Sequence, residues 1–204
     1  MTAMLMATTL PGRLVGAVPN AAGPEPQTAG LERTRDYIGA GGSQPTWMHA
    51  ARAFAELNGA VYPGYEIHDW LRLTKRTHRL TAEGRIVTDY DKQIAAPLRV
   101  PGGAGAAADL WPVYRALGDI PLLILRGELS DILARSAGEK MVAELPRARL
   151  VEVPGVGHAP TMDEPEARIA IDAWAAELPA ASPAPIHLRG CCTFIRACHS
   201  PARK

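Results

Sequence analysis

Two residues in the second half of the chain have the types and the placement needed for acid–base chemistry. Asp131 follows the apolar run Pro121–Leu125, and His158 follows the apolar run Leu150–Val153. Both runs suit buried strands of a parallel sheet, whose carboxyl ends meet at one edge and hold the ligands of open α/β folds. An acid beside a histidine fixes the tautomer of the ring and stabilises the imidazolium, while the ring takes a proton from a nucleophile. The pair therefore supplies two of the three groups of a nucleophilic triad.

Each of these residues is ambiguous when taken singly. A loop aspartate commonly closes a turn through its own carboxylate, and a loop histidine is commonly a solvated surface residue. Gly155 and Gly157, however, allow the His158 loop to turn sharply and bring the imidazole to the top of the sheet. Because the acid and the histidine lie one helix and one strand apart, their combination favours the catalytic interpretation.

The elements around this pair alternate between strand and helix. A helix after the first strand is marked by Ser136 and Glu139 at capping-box spacing. A last helix has Pro165 in its first turn. Its predicted buried stripe, at helical spacing, consists of Ala167, Ile171, Trp174 and Leu178. Near the N-terminus, Met1–Leu10 reads as a helix and Leu14–Val18 as a short buried strand. This alternation predicts an α/β fold with a parallel sheet and right-handed crossovers.

Composition divides the chain into a core, an insertion and a tail. Residues 29–117 read as short amphipathic helices joined by Gly and Pro, which predicts a helical insertion above the sheet. The predicted core therefore comprises residues 1–28 and 118–178. Residues 179–204 carry basic but no acidic side chains and follow a Pro/Ala-rich stretch, so we expect a disordered tail.

Three helices and one strand are predicted in the insertion. The helices cover Thr46–Leu57, Asp69–Leu80 and Asp109–Leu117, the first of them capped by Thr46, and the strand covers Arg85–Thr88. Helical spacing predicts buried positions at Trp47, Ala50, Ala51, Phe54, Leu57, Trp70, Leu73, Leu80, Leu110, Val113 and Leu117. We expect four aromatic residues to pack in the interior, some of them lining a substrate pocket: Trp47, Trp70, Trp111 and Tyr114.

At these positions the chain resembles the α/β-hydrolase family. The blocks Pro121–Leu133 and Gly155–Pro160 look like the last two sheet strands of that family with its triad acid and histidine. The helical insertion looks like the family's lid, and the resemblance covers about residues 1–178. It implies a partial α/β-hydrolase fold, a parallel sheet remnant with a helical lid. By resemblance Asp131 is the catalytic acid and His158 the base.

The family's nucleophile belongs on a G-x-S-x-G elbow before the lid, and here the sequence departs from the pattern. None of its serines lies in such a motif: Ser43, Ser130, Ser136, Ser182 and Ser200. Ser136 comes nearest, but it follows the acid and no apolar strand leads into it, so capping explains it better. We therefore expect the chain to lack the nucleophile.

The departure is most simply explained as truncation. Met1–Leu10 resembles the family's helix that directly follows the elbow, which implies that the nucleophile and the oxyanion donors lie upstream of Met1. The strand Leu14–Val18 would then be an uncovered apolar edge, which invites self-association. We expect the chain alone to be inactive and poorly stable.

Two other groups of residues could carry chemistry. Four residues of the tail offer metal ligands, namely Cys191, Cys192, Cys198 and His199. Adjacent cysteines lack the usual C-x₂-C spacing, so we expect no metal site and no cofactor. Asp89 and Asp91 could pair as carboxylates, but a solvated surface of the insertion explains them better.

Two functions remain open. The first is a hydrolase fragment acting on an ester-like or related small apolar substrate. An Asp nucleophile would instead imply epoxide or carbon–halogen chemistry, and the missing residue is the one that discriminates. The second is a non-catalytic ligand-binding or interaction protein that reuses the lid pocket, since fold does not prove function.

Charge and hydropathy exclude several partners. The 204 residues include 22 basic and 21 acidic side chains, a net charge of +1 that gives no footprint for nucleic acid or an anionic membrane. No apolar run approaches the roughly 20 residues needed to span a bilayer. The first basic residue, Arg13, follows the apolar N-terminal stretch, the wrong order for a secretory signal. We expect a cytoplasmic protein with a small-molecule substrate.

Overall fold

A computed structural model of the chain describes residues 2–38, 42–91, 93, 96 and 109–179. The described helices are α1 (Thr2–Thr9), α2 (Thr28–Tyr37), α3 (Trp47–Asn58), α4 (Ile67–Thr77), α5 (Trp111–Arg115), α6 (Arg135–Glu144) and α7 (Pro165–Ala176). The described strands are β1 (His78–Leu80), β2 (Ile86–Thr88), β3 (Leu122–Gly127) and β4 (Ala148–Val153). The predicted tail, apart from Pro179, lies outside the described residues.

The sheet that positions the site is built on β3 and β4. They pair in parallel from Leu122 opposite Ala148 to Gly127 opposite Val153. Every residue of β3 is buried, as expected for a strand covered on both faces. Arg126 is the one cation within β3, and it forms an ion pair with Glu152 of β4 and donates to the carbonyl of Leu133 at 2.9 Å. The strand predicted from the apolar run before Asp131 is confirmed.

A third, shorter segment lies on the other side of β3. Residues 17–21 run parallel to β3, with bridges from Ala17 to Leu122 and from Asn20 to Leu125. The prediction of a strand over Leu14–Val18 was wrong in its bounds, because pairing starts at Ala17 and Val15 is exposed. The proline at 19 and the buried, positive-φ Ala21 limit the regular ladder to a few bonds.

Helices cover both faces of this sheet. On one face, Met4 of α1, Trp111 and Tyr114 of α5 and Met141 of α6 form one core with Leu122 and Ile124. On the other face α7 packs through Ala167, Ile171 and Trp174 against Leu123 and Leu125. The stripe predicted for the last helix is therefore found, although Leu178 follows the end of α7.

Of the predicted insertion 29–117, the described residues 42–91 contain α3, α4 and the antiparallel hairpin β1–β2, and the name helical insertion refers to these residues from here on. Thr46 caps α3 as predicted, since its hydroxyl accepts the N–H of His49 at 3.3 Å. The helix predicted over Asp69–Leu80 was wrong at its C-terminal end, because His78 is extended and starts β1.

Three further details differ from the sequence-based expectation. Leu57 and Leu80 are exposed rather than buried, because one lies on the outer side of α3 and the other in the two-stranded hairpin. Ser136 does not cap α6; the helix begins at Arg135 after Ala134, and no side chain caps it. α5 is shorter than the predicted Asp109–Leu117 helix, and it packs in the sheet core rather than with the insertion.

Candidate active site

The loop after β3 holds Asp131 in a defined turn. Ser130 Oγ accepts the N–H groups of Ile132 at 3.4 Å and Leu133 at 3.2 Å, and Ser130 N donates to the Gly127 carbonyl at 2.9 Å. A serine that caps its own turn in this way fixes the backbone on both sides of Asp131. The carboxylate therefore leaves the sheet at its carboxyl end, as the sequence predicted.

The loop that carries His158 is joined to the Asp131 loop by two hydrogen bonds, one between backbone groups and one to a side chain. Leu129 N donates to Val156 O at 2.9 Å, and Gly155 N donates to Glu128 Oε2 at 2.9 Å. A β-carbon added to Gly127 would lie 2.3 Å from the carbonyl oxygen of Gly157. The approach of the two loops therefore requires glycine at position 127, and it brings both predicted site residues to one edge.

Asp131 and His158 lie close enough for each charge to act on the pKa of the other, but no hydrogen bond joins them. Both carboxylate oxygens of Asp131 accept from Arg33, Oδ2 from Nε at 2.5 Å and Oδ1 from Nη2 at 2.9 Å. Nδ1 of His158 is buried and has no hydrogen-bond partner within the described part of the chain. The catalytic roles of the two residues stay a prediction.

Arg33 reaches this position because α2 packs closely on the acid loop. A β-carbon on Gly30 would lie 2.4 Å from Asp131 O, so glycine lets the helix approach, and Arg33 follows one turn later. Sequence reasoning missed Arg33. The only signal was a glycine and an arginine three positions apart in a predicted insertion, which does not say what the helix packs against.

The local environment sets both charges. The hydrogen bonds from Arg33 are the main cause that lowers the pKa of the Asp131 carboxyl, with smaller help from the charge of His158. Burial lowers the pKa of the His158 imidazole, and a backbone hydrogen bond at Ala21 partly offsets this effect. Near neutral pH the site therefore pairs an ionised carboxylate with a neutral imidazole.

The helical insertion is anchored directly on the His158 loop. Gly157 N donates to the Val61 carbonyl at 2.6 Å, and Tyr62 Oη donates to the Ala159 carbonyl at 2.7 Å. A β-carbon on Gly157 would meet Val61 Cα at 3.2 Å. An ion pair between Arg76 and Asp163 adds a second anchor. These contacts fix the insertion above the carboxyl ends of the strands.

Aromatic side chains fill the insertion near this anchor. Trp70 is buried and makes edge-to-face contacts with Phe54, Tyr62 and Tyr65 at centroid distances of 6.0, 5.7 and 5.3 Å. Trp111 and Tyr114, by contrast, lie in the sheet core, as predicted for packing residues. The cluster around Trp70 gives the insertion an apolar wall.

A cavity of about 480 Å³ lies between this wall and the His158 loop. It is lined by Phe54, Asn58, Tyr62, Leu73, Arg76, Thr77, His78, Thr88, Tyr90, His158, Ala159, Pro160 and Thr161. A side pocket of about 110 Å³ shares Phe54, Asn58, His78, Thr88 and Tyr90 with it. Concave, mainly apolar spaces with a few polar groups are typical small-molecule sites.

None of the described serines lies in this cavity wall. Ser43 contacts Arg85, Ser130 closes its own turn, and Ser136 is exposed on α6. Ser182 and Ser200 lie outside the described residues. The structure thus brings together the predicted acid and histidine, but no described serine lies beside them as a nucleophile.

Other sequence candidates have ordinary surroundings. Asp89 is exposed and forms an ion pair with Arg79 at 3.3 Å, and Asp91 accepts the N–H of Gln93 at 2.9 Å. Within the described ranges no group of three or more potential ligands could hold a metal ion. The cysteines of the tail and His199 lie outside those ranges. No described helix is both long enough and apolar enough to cross a bilayer.

Comparisons with known proteins agree with this architecture. A crystal structure of an α/β hydrolase from Novosphingobium aromaticivorans superposes with a TM-score of 0.78 and 48% identity, covering 85% of this chain and 60% of that one. A putative hydrolase from Rickettsia typhi has the same fold at a TM-score of 0.70 and 23% identity, covering 86% of this chain and 58% of that one.

A curated relative is similar over a shorter stretch. The 3-hydroxybutyrate-oligomer hydrolase of Cupriavidus necator is 45% identical over 86 residues, which make up 40% of this chain and 28% of that protein. The chain thus spans less than a third of the curated relative that it matches and three fifths of the Novosphingobium protein.

The sequence model described as the alpha/beta hydrolase family matches residues 1–173. That match covers β3, β4, the insertion and both predicted site residues. The chain belongs to the α/β-hydrolase family.

Proposed function

We propose that this chain provides the general base, its acid partner and the lid of a hydrolytic active site that acts on a small ester. The observation that carries the proposal is the position of His158, which lines the 480 Å³ cavity together with residues of the insertion. His158 also lies at the strand ends beside the Asp131 loop, where an α/β sheet places its ligands.

The protonation states support this role. A neutral imidazole can accept the proton of a nucleophile, and an ionised carboxylate beside it stabilises the imidazolium that forms. Burial favours the neutral form of His158 and Arg33 favours the ionised form of Asp131. For Asp131 to orient His158, its carboxylate has to come within hydrogen-bond reach of Nδ1, and each oxygen can accept this second bond while it stays paired with Arg33.

The nucleophile has to come from residues other than the described serines. The histidine loop crosses over the end of the 17–21 segment, since Asn20 Nδ2 donates to Pro160 O at 2.9 Å and the backbone of Ala21 lies near enough to the His158 ring to raise its pKa. A further parallel strand on the outer edge of this segment would end beside the imidazole. We propose that the nucleophile is delivered on such a strand.

The wall of the cavity and the relatives support an ester substrate. The lining combines apolar side chains, among them Phe54, Tyr62 and Leu73, with polar ones that could hold the oxygen atoms of an ester. By its name, the Cupriavidus relative hydrolyses oligomers of 3-hydroxybutyrate, which are joined by ester bonds. We therefore propose a short-chain ester as the substrate class.

A chimaera tests this function. The part of the Novosphingobium protein that this chain does not cover would be joined to the 204 residues, and hydrolysis of p-nitrophenyl butyrate would be measured. We expect activity that falls at least about 1,000-fold in the His158→Ala variant and clearly in Asp131→Asn, because base and acid act as one unit. His68→Ala, an exposed histidine of α4, is the matched control. Hydrolysis that survives His158→Ala would contradict the proposal.

The second candidate is a ligand-binding protein without catalysis. It is favoured by the pairing of Asp131 with Arg33 rather than with His158, whose Nδ1 has no hydrogen-bond partner among the described residues. A chimaera that folds and binds methyl butyrate but does not hydrolyse it would support this candidate over the first.

A further inference from the structure

A second histidine lies in the wall of the cavity, away from the strand ends. His78 ends α4, begins β1 and lines both the 480 Å³ cavity and the 110 Å³ side pocket. Its ring stands edge-to-face on Phe54 with centroids 5.3 Å apart. The proposed acid–base chemistry of His158 makes no use of this imidazole.

One nitrogen of the His78 ring faces the end of α4. Nδ1 lies 2.9 Å from Thr77 Oγ1, and that hydroxyl donates its own proton to the Leu73 carbonyl at 3.0 Å. The Thr77 oxygen can therefore only accept from Nδ1. This contact requires the proton on Nδ1.

The other nitrogen is left as an acceptor. Burial lowers the pKa of the His78 imidazole, which keeps it neutral near pH 7. With the proton on Nδ1, Nε2 carries a lone pair and can only accept. Within the described part of the chain, no group donates a hydrogen bond to Nε2. The wall shared by the two cavities thus offers an acceptor that fits a hydroxyl group and not a carbonyl.

We propose that His78 is a specificity-determining residue whose Nε2 accepts a hydrogen bond from a hydroxyl group of the substrate. The substrate class becomes a hydroxylated short-chain ester, with its reacting carbonyl near His158 and its hydroxyl at the junction with the side pocket. This inference rests on the proposed function, since it names the substrate of the same cavity.

Binding to the 204-residue chain tests it. Isothermal titration with methyl 3-hydroxybutyrate and with methyl butyrate compares two esters that differ by one hydroxyl. We expect the hydroxylated ester to bind about five-fold more tightly, the ratio that one neutral hydrogen bond gives. In His78→Phe the ratio should fall to about one, because the ring shape remains but the acceptor is lost. Equal binding of the two esters, or saturable binding of neither, would overturn the inference.

Two further variants and one spectrum separate recognition from structure. His78→Gln, whose amide oxygen can accept, should recover part of the preference, and His68→Phe on the outer face of α4 should leave it unchanged. Long-range proton–nitrogen NMR of the unaltered chain should show the proton of His78 on Nδ1, and a signal pattern for a proton on Nε2 would refute the argument. Retained preference in His78→Phe would refute it as well.

The outcome is separable from that of the proposed function. His158-dependent hydrolysis by the chimaera without any preference for a hydroxyl would remove this inference alone. A preference that depends on His78 in binding, together with an inert chimaera, would leave the inference standing for a ligand-binding protein.

Discussion

Arg33 holds the carboxylate of Asp131 through two parallel hydrogen bonds, from Nε at 2.5 Å and from Nη2 at 2.9 Å. Paired, charge-assisted hydrogen bonds of this kind are stronger than hydrogen bonds between neutral groups. The pair joins α2 to the loop after β3. It also places a cation next to Asp131, the acid that is expected to orient His158. The arginine keeps Asp131 ionised and holds its carboxylate in place without a hydrogen bond to His158.

Removal of the Arg33 cation should change the pKa values of both Asp131 and His158. In Arg33→Gln we expect the pKa of Asp131 to rise toward its ordinary value, because its two strongest hydrogen bonds are lost. The pKa of His158 should rise too, since Arg33 now disfavours the imidazolium. Arg35→Gln, which changes an exposed arginine of the same helix, is the control. Proton and carbon NMR titrations measure both pKa values, and unchanged values in Arg33→Gln would show that the ion pair does not form in solution.

Stability should respond only modestly to the same change. Both side chains are about one third exposed, 32% for Arg33 and 35% for Asp131, so solvent screens the pair. We expect Arg33→Gln to lower the free energy of unfolding at pH 7 by about 0.5–1 kcal/mol. Urea denaturation followed by circular dichroism measures this loss.

The sequence predicted the parts of the site that local patterns determine. The apolar run that became β3 and the alternation of strand and helix place Asp131 and His158 at one edge, because parallel strands end there. The position of Arg33 was not predictable, because it depends on how α2 docks through Gly30. Such tertiary contacts leave no periodic trace in the chain.

The wrong predictions of element ends also arise from tertiary contacts. The segment predicted as strand Leu14–Val18 pairs only from Ala17, since the partner strand and Pro19 decide its register. Ser136 has the spacing of a cap, but α6 begins one residue earlier and leaves it in the first turn. Local rules give the kind of element, whereas packing sets its ends.

The close approach of Gly127 to Gly157 predicts a large loss of stability on a small substitution. In Gly127→Ala the new β-carbon would lie 2.3 Å from one backbone oxygen and 2.4 Å from another. The two loops must separate, which we expect to cost about 3 kcal/mol of unfolding free energy. Gly64→Ala meets open space and should change stability by less than about 0.5 kcal/mol. Urea denaturation of both variants is the measurement, and equal stabilities would contradict the loop geometry.

The stability of the chain should fall as the pH is lowered below the ordinary histidine pKa of 6.5. Burial lowers the pKa of His158 and of His78 in the folded state, so protons bind the unfolded chain more readily. The contribution is fully present above pH 6.5 and is lost as the pH falls toward the folded pKa values. His158→Gln should reduce this slope and the exposed His68→Gln should not. Urea titrations between pH ~7.5 and ~5 test both.

The outer edge of the 17–21 segment should make the chain self-associate. Ala17 O, Pro19 O and Ala21 N bond to β3 and Ala17 N bonds to Pro121 directly before it, so the odd-numbered residues face the sheet. The N–H and C=O groups of Val18 and Asn20 point the other way by strand alternation. A groove of about 260 Å³ runs along this edge beside Met4 of α1. Unpaired strand edges of this kind template association between copies.

Two prolines one residue apart test this edge. Val18→Pro removes an outward N–H and keeps every bond to β3, so we expect it to lower the self-association seen by light scattering or sedimentation without a loss of stability. Ala17→Pro removes the N–H that donates to Pro121 O at 3.1 Å. It should therefore lower the unfolding free energy by about 1–3 kcal/mol, since it leaves a buried carbonyl unpaired. If the unaltered chain is monomeric at all concentrations, or if Val18→Pro associates as strongly as the unaltered chain, the free edge is not the surface through which copies meet.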